Sequence, residues 1–167
     1  MGPISAKQMI DAPRERVFDF IGDLANRPAF TDHFIREFRL ERLQSSGVGA
    51  AARMRVSEPE NWMETVIEEV SPPYRIRERG RGGRLDRIPI ATVWELVEGP
   101  VATTSEVAVS FWTEPQHPLD RARERLGAER RYRRNWSVAL VRLKEIMESG
   151  GPVERVIVAG GARLPVT

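Results

Sequence analysis

PLDRARERLGAERRYRRNWSVALVRLKEIM, residues 118–147, is the stretch that decides the fold. Pro118 suits a first helical turn, no further proline interrupts, and Ser149-Gly150-Gly151-Pro152 supplies a stop. The stretch therefore reads as one helix running to about Met147. Trp136, Ala139, Leu140, Leu143 and Met147 recur at i, i+3, i+4 and i+7, which gives its C-terminal half a single apolar side. Leu119, Ala122 and Leu126 would continue that side, but Glu129, Arg130, Tyr132 and Arg133 interrupt it and Gly127 weakens the helix. A helix apolar at one end and polar at the other, laid over a curved sheet, leaves space beneath it unfilled.

Working upstream, the texture is that of strands. Phe38–Arg42, Ala50–Ser57, Trp62–Val70, Tyr74–Arg79, Ile88–Val97 and Thr103–Thr113 are short segments rich in Val, Ile, Trp and Thr. Ser46-Gly47, Glu58-Pro59, Pro72-Pro73, Arg81-Gly82-Gly83 and Gly99-Pro100 punctuate them at the spacing of an antiparallel meander. Pro3–Ala12 reads as one more strand, leading into a helix begun by Pro13 and carrying Val17, Ile21 and Leu24 at helical spacing. Asn26, Arg27 and Pro28 end that helix, and Phe30–Phe34 reads as a second short helical turn or a loop. A run of strands followed by one long helix makes the class α+β: a curved antiparallel sheet of about seven strands around the C-terminal helix, with two short helices after the first strand.

These stretches, in order, resemble the START-like, polyketide cyclase/dehydrase superfamily. The resemblance is carried by IDAPRERVFDFIGDLANRPAF (residues 10–30), GVGAAARMRV (47–56), VIEEVSPPYRIRER (66–79), and VWELVEG (93–99) with TTSEVAVSF (103–111). It implies a helix-grip fold over residues 1–149 as a single domain, and an internal cavity for a small hydrophobic ligand of lipid, polyketide or aromatic type. Phe30 stands where such proteins often carry a tryptophan at the cavity mouth. Residues 150–167 fall outside the resemblance and read as a tail, able to form an extra strand or an arm towards a partner subunit in a homodimer.

Composition removes several classes. At 167 residues with 41% hydrophobic and 30% charged side chains, the chain has the balance of one globular domain. Without cysteine there is no disulfide framework, thiolate zinc site or cysteine nucleophile. His33 and His117 lack the spacing of a helical metal site, so neither a metal nor a cofactor is expected, and His117 reads as a helix-end residue. The opening residues hold no apolar run of signal-peptide length and nothing approaches a membrane span, which predicts a cytoplasmic protein. The net charge is +2, nearly all of the positive charge being arginine. Arg75–Arg87 and Arg121–Arg134 concentrate it, but Glu78, Asp86, Asp120, Glu124 and Glu129 are interspersed at pairing distance, so a solvated face is expected and not a nucleic-acid surface. Gly47-Val48-Gly49 precedes a strand and not a helix, so it has no dinucleotide-binding mechanism. Gly80–Gly83 reads as a hairpin turn.

Alternation along the strands picks out the side chains that face the helix. Ala52 and Met54 share one side of their strand, Met63, Thr65 and Ile67 of the next, Thr92 and Trp94 of a third, and Val109 and Phe111 of the last. With Phe30, Phe34, Trp136 and Leu140 they define an apolar set in which each residue reads first as ordinary core and the group as a cavity wall. Small residues (Ala50, Ala52) and a pliable thioether (Met54) favour a cavity, because they underfill a gap between sheet and helix. Tyr132, Arg133 and Asn135, with Thr65 and Thr92, are the expected polar groups. An aromatic polyketide cyclase or dehydratase acting in that cavity would use Tyr132 or Arg133 to polarise a carbonyl or move a proton. An interaction protein using its arginine-rich surface is the third reading.

Overall fold

The alternation read between residues 38 and 113 becomes a seven-stranded antiparallel sheet in the computed structural model. The structure describes residues 1–57, 60–125, 127–150, 155–158 and 162–164; the side chains of residues 84, 123–125, 155–158 and 162–164 are outside that description. In chain order the elements are β1 (Ile4–Ile10), α1 (Arg14–Gly22), a 3-10 turn (Leu24–Asn26), α2 (Arg27–Thr31), β2 (Ile35–Leu40), β3 (Ala51–Ser57), β4 (Glu60–Ser71), β5 (Arg75–Gly82), a 3-10 turn (Arg84–Asp86), β6 (Ile88–Glu98), β7 (Ser105–Thr113), α3 (Pro118–Arg125) and α4 (Ala128–Ser149). A final pair, β8 (Arg155–Val158) and β9 (Ala162–Leu164), stands as its own two-stranded sheet. The main sheet runs β1-β7-β6-β5-β4-β3-β2, so β1 joins the far end of the meander, with Ile4 opposite Phe111 and Ile10 opposite Ser105.

Burial alternates along most strands. In β7 every second residue from Ser105 to Thr113 is buried, and in β3 Ala52, Met54 and Val56 are. That curved face is covered by α4, whose buried residues are Ala128, Tyr132, Trp136, Ala139, Leu140, Leu143 and Met147, a stripe packed chiefly on β1 and α2. Gly150, in the left-handed region at φ 61°, ends the helix, and its N–H bonds to the Ile146 carbonyl. Two polar contacts pin that end to β1: the backbone N–H of Asp11 donates to Glu148 at 2.8 Å, and Lys144 donates to the Met9 carbonyl at 3.2 Å.

Four local expectations are corrected. The stretch from Pro118 is two helices and not one, because Gly127 adopts φ 96°, a turn only glycine makes without strain. Leu119, at 64% exposure, and Ala122 consequently face solvent; Leu126 lies outside the described residues. Pro28 does not end a helix but sits in the first turn of α2, where its missing N–H costs nothing, and the break comes earlier, at Asp23, whose carboxylate accepts from Ala25 N–H. Gly80 and Gly82 belong to β5, and the turn that follows is Gly83 with Arg84–Asp86.

Candidate functional site

The open space beneath the start of α4 lies at the C-terminal end of β5. Its inward positions are Ile76, Glu78, Gly80 and Gly82, so side chains disappear from the floor towards the strand's C-terminal end. Gly82 is paired with Met63 on β4 and Ile88 on β6, and Gly80 with Thr65 and Ile90. Gly80 is required by backbone approach as well, since a Cβ there would stand 1.7 Å from the Glu64 carbonyl oxygen. Above this bare floor lie the first turns of α4. The result is a cavity of about 880 Å³, walled by Met63, Ile88, Ile90, Thr113, Ala128 and Tyr132, with Arg53, Glu60, Leu85, Asp86, Asp120 and Arg131 at its rim. An apolar body with polar groups around its mouth is the usual form of a small-molecule site.

Behind the cavity the molecule is packed solid with aromatic rings. Trp94 and Trp136 meet edge to face at 5.5 Å between centroids, as do Phe34 and Trp136, while Phe30 meets Trp94 at 6.2 Å. Phe111 bridges this cluster to the cavity wall through Tyr132, at 4.8 Å. The Tyr132 hydroxyl is directed at the Met63 sulfur, 4.0 Å away.

Beneath the aromatic cluster lies an ion pair. Arg27 (2% exposed) and Glu78 (1%) join at 2.6 Å, Nη2 to Oε1. The remaining capacity of the carboxylate is met by the Trp94 indole N–H at 2.9 Å and the Thr65 hydroxyl at 3.0 Å. The guanidinium lies over the Trp94 ring, 4.9 Å from its centroid. Glu78 thus serves a buried network and not the neighbouring arginines with which it was expected to pair. The signal was present: Glu78 shares the strand phase of Ile76, whereas Arg75, Arg77, Arg79 and Arg81 share the other.

Around the rim, charges are matched. Arg87 grips Asp120 through two bonds of 2.8 and 2.9 Å, and this bonding raises the Arg87 pKa. Arg53 faces Asp86 at 3.4 Å, and Arg55 bonds Glu60 as well as Glu37. On the far side of α4, a second hollow of about 900 Å³ is lined by Met1, Gly2, Pro115, Arg121, Gly127, Glu129, Arg130 and Arg133. Arg121, Glu129, Arg130 and Arg133 give it a charged wall, so volume alone does not recommend it for an apolar molecule.

The residues picked from alternation separate into two places. Met63 and Tyr132 line the cavity. Phe30, Phe34, Trp94, Phe111 and Trp136 form the aromatic cluster, Ala52, Met54, Ile67, Val109 and Leu140 pack in the same core, Thr65 bonds Glu78, and Thr92 is buried on β6. Arg133 is exposed and paired with Glu129 one helical turn away, outside the cavity. Asn135 is half-buried, and its backbone carbonyl accepts from His33 Nε2 at 3.0 Å. His33 in turn presents Nδ1 to Arg142 at 3.3 Å, and Arg142 also pairs with Asp32, which docks α2 on α4. Burial, and then the Arg142 charge, hold the His33 pKa below its ordinary value against the opposing pull of the Asn135 carbonyl and Asp32. His117 sits at the start of α3, its Nδ1 accepting from Leu119 N–H. Among the described residues no helix is long and apolar enough to cross a membrane, and no cluster of three potential metal ligands occurs.

A curved antiparallel sheet gripping a long C-terminal helix defines the class of START-like, helix-grip proteins. The chain belongs to the polyketide cyclase/dehydrase and lipid transport family, whose profile matches residues 1–148. Similar solved structures include a Thermus thermophilus protein (TM-score 0.71, 17% identity, covering 90% of this chain and 100% of that one). Others are a Nitrosospira multiformis protein (0.65, 17%, 90% and 100%) and a START superfamily protein from Mycobacterium smegmatis (0.64, 11%, 89% and 99%). At such identities these likenesses concern the fold. No curated protein matches the chain.

Proposed function

We propose that the protein binds a small, largely apolar molecule in the cavity between β4–β6 and the first turns of α4. The observation that carries this reading is the cavity itself, about 880 Å³ walled by Met63, Ile88, Ile90, Ala128 and Tyr132, in a member of a family named for polyketide cyclisation and lipid transport. Burying about 300 Å² of ligand surface at about 25 cal/mol per Å² gives roughly 7 kcal/mol gross, of which several are lost on immobilisation, so micromolar affinity is in reach. The test is titration with the uncharged dye N-phenyl-1-naphthylamine. Its fluorescence should rise and saturate with the native protein and stay flat with Ala128→Trp, which fills the wall; equal enhancement in both would overturn the site.

A second reading, cyclase or dehydratase chemistry in the same cavity, has one observation in its favour: a phenol, Tyr132, stands on the wall. There it would orient a poly-ketone and donate a hydrogen bond to a carbonyl oxygen. Tyr132→Phe should then lose turnover of such a substrate while keeping dye affinity. Unchanged turnover would leave only binding.

A further inference from the structure

We infer that the molecule taken by the cavity carries a carboxylate at one end of its apolar body, and that Arg131 seats this group; the inference rests on the cavity being the binding site. The argument is a charge balance at the mouth. The carboxylates of the rim are Glu60, Asp86 and Asp120, and each is matched by a different arginine: Arg55, Arg53 and Arg87. Two arginines line the cavity among the described residues, Arg53 and Arg131; Arg53 is taken by Asp86, and Arg131 has no carboxylate partner among the described residues. Its helix neighbours Arg130 and Arg133 line the hollow on the other side of α4, so they neither share nor relieve its position. Arg131 also lies in the first turn of the 22-residue α4, where the positive end of the helix dipole adds to its charge.

Arg131 is half-buried at the rim, so beside an uncharged occupant its guanidinium stays hydrated and unpaired. A carboxylate gives it a counter-charge and fits the planar guanidinium with two parallel N–H···O bonds. The apolar wall of Met63, Ile88, Ile90 and Ala128 then holds the body of the molecule, and its acid end faces the mouth. Straight-chain and fused-ring acids share this chemistry.

The experiment measures displacement of N-phenyl-1-naphthylamine from native protein, Arg131→Gln and Arg131→Lys at pH 7.5. One series compares dodecanoate with dodecanol, the other 2-naphthoate with 2-naphthamide. The native protein should prefer the acid by about tenfold in at least one series, the value of one charge-assisted contact, and that series identifies the body the cavity accepts. R131Q should lose the preference while its affinity for the neutral member is unchanged, and R131K should retain part of it. Equal affinity for acid and neutral partner in both series, or a preference that survives R131Q, overturns the inference while leaving the cavity as a binding site. Failure of the dye to bind at all overturns both.

Discussion

Glu78 shows how much one side chain can hold in this molecule. Its carboxylate is taken out of water together with the Arg27 guanidinium, and two further donors, Trp94 and Thr65, complete its coordination. Such a pair contributes little net stability compared with apolar residues of the same shape, but losing one partner strands the other charge in the core. Glu78→Gln, read by urea unfolding, should therefore cost about 3 kcal/mol. Arg27→Met together with Glu78→Gln should recover part of that loss, because the stranded charge is gone while Trp94 and Thr65 keep an acceptor. A double variant less stable than E78Q by the full cost of R27M alone would show the two residues to be uncoupled. Glu78 was concealed in the sequence by company, since it stands among four arginines; only its phase with Ile76 marked it as inward. Arg27 bore no mark at all, because its partner lies on a strand 51 residues away.

Between elements, the docking of α2 on α4 depends on a titratable contact. His33 donates from Nε2 to the Asn135 carbonyl and accepts at Nδ1 from Arg142, an arrangement that requires the neutral ring. Its pKa in the folded protein lies below the ordinary value, chiefly through burial. The folded state thus binds fewer protons than the unfolded one as pH falls past about 6.5. The contribution is complete above that pH and is lost as pH drops through the folded pKa. Native protein should lose urea resistance more steeply between pH 7 and 5 than His33→Gln does; parallel curves would remove the contact from the account. The helix break at Gly127 belongs to the same scale. The weak position was legible from a lone glycine in a helical run, but that it would split the run and turn Leu119 to solvent was not, since propensity says where a helix is weak and not what the neighbouring elements do with the weakness.

For the molecule as a whole, the cavity lies between the C-terminal end of β5 and the first turns of α4. This is why Ala128→Trp is a test at this scale: it adds volume at the closure between helix and sheet, one helical turn before Tyr132. Element order, strand alternation and the C-terminal half of α4 determined the α+β class and the antiparallel sheet covered by a final helix from the sequence by itself, because periodicities of two and of about 3.6 residues state directly which side of each element is buried, and the resemblance to START-like proteins added the helix-grip fold. The place of the open space was decided only in three dimensions. Alternation names every inward residue without saying which are touched by a partner, so Trp94, Trp136, Phe30 and Phe34 read as cavity wall, whereas in the folded chain their rings fill that region. Likewise Gly80 and Gly82 read as a turn, and only their pairing with β4 and β6 places them in a strand, with Gly82 on the cavity wall. Packing is a property of pairs of elements, and those pairs exist only after the chain has folded.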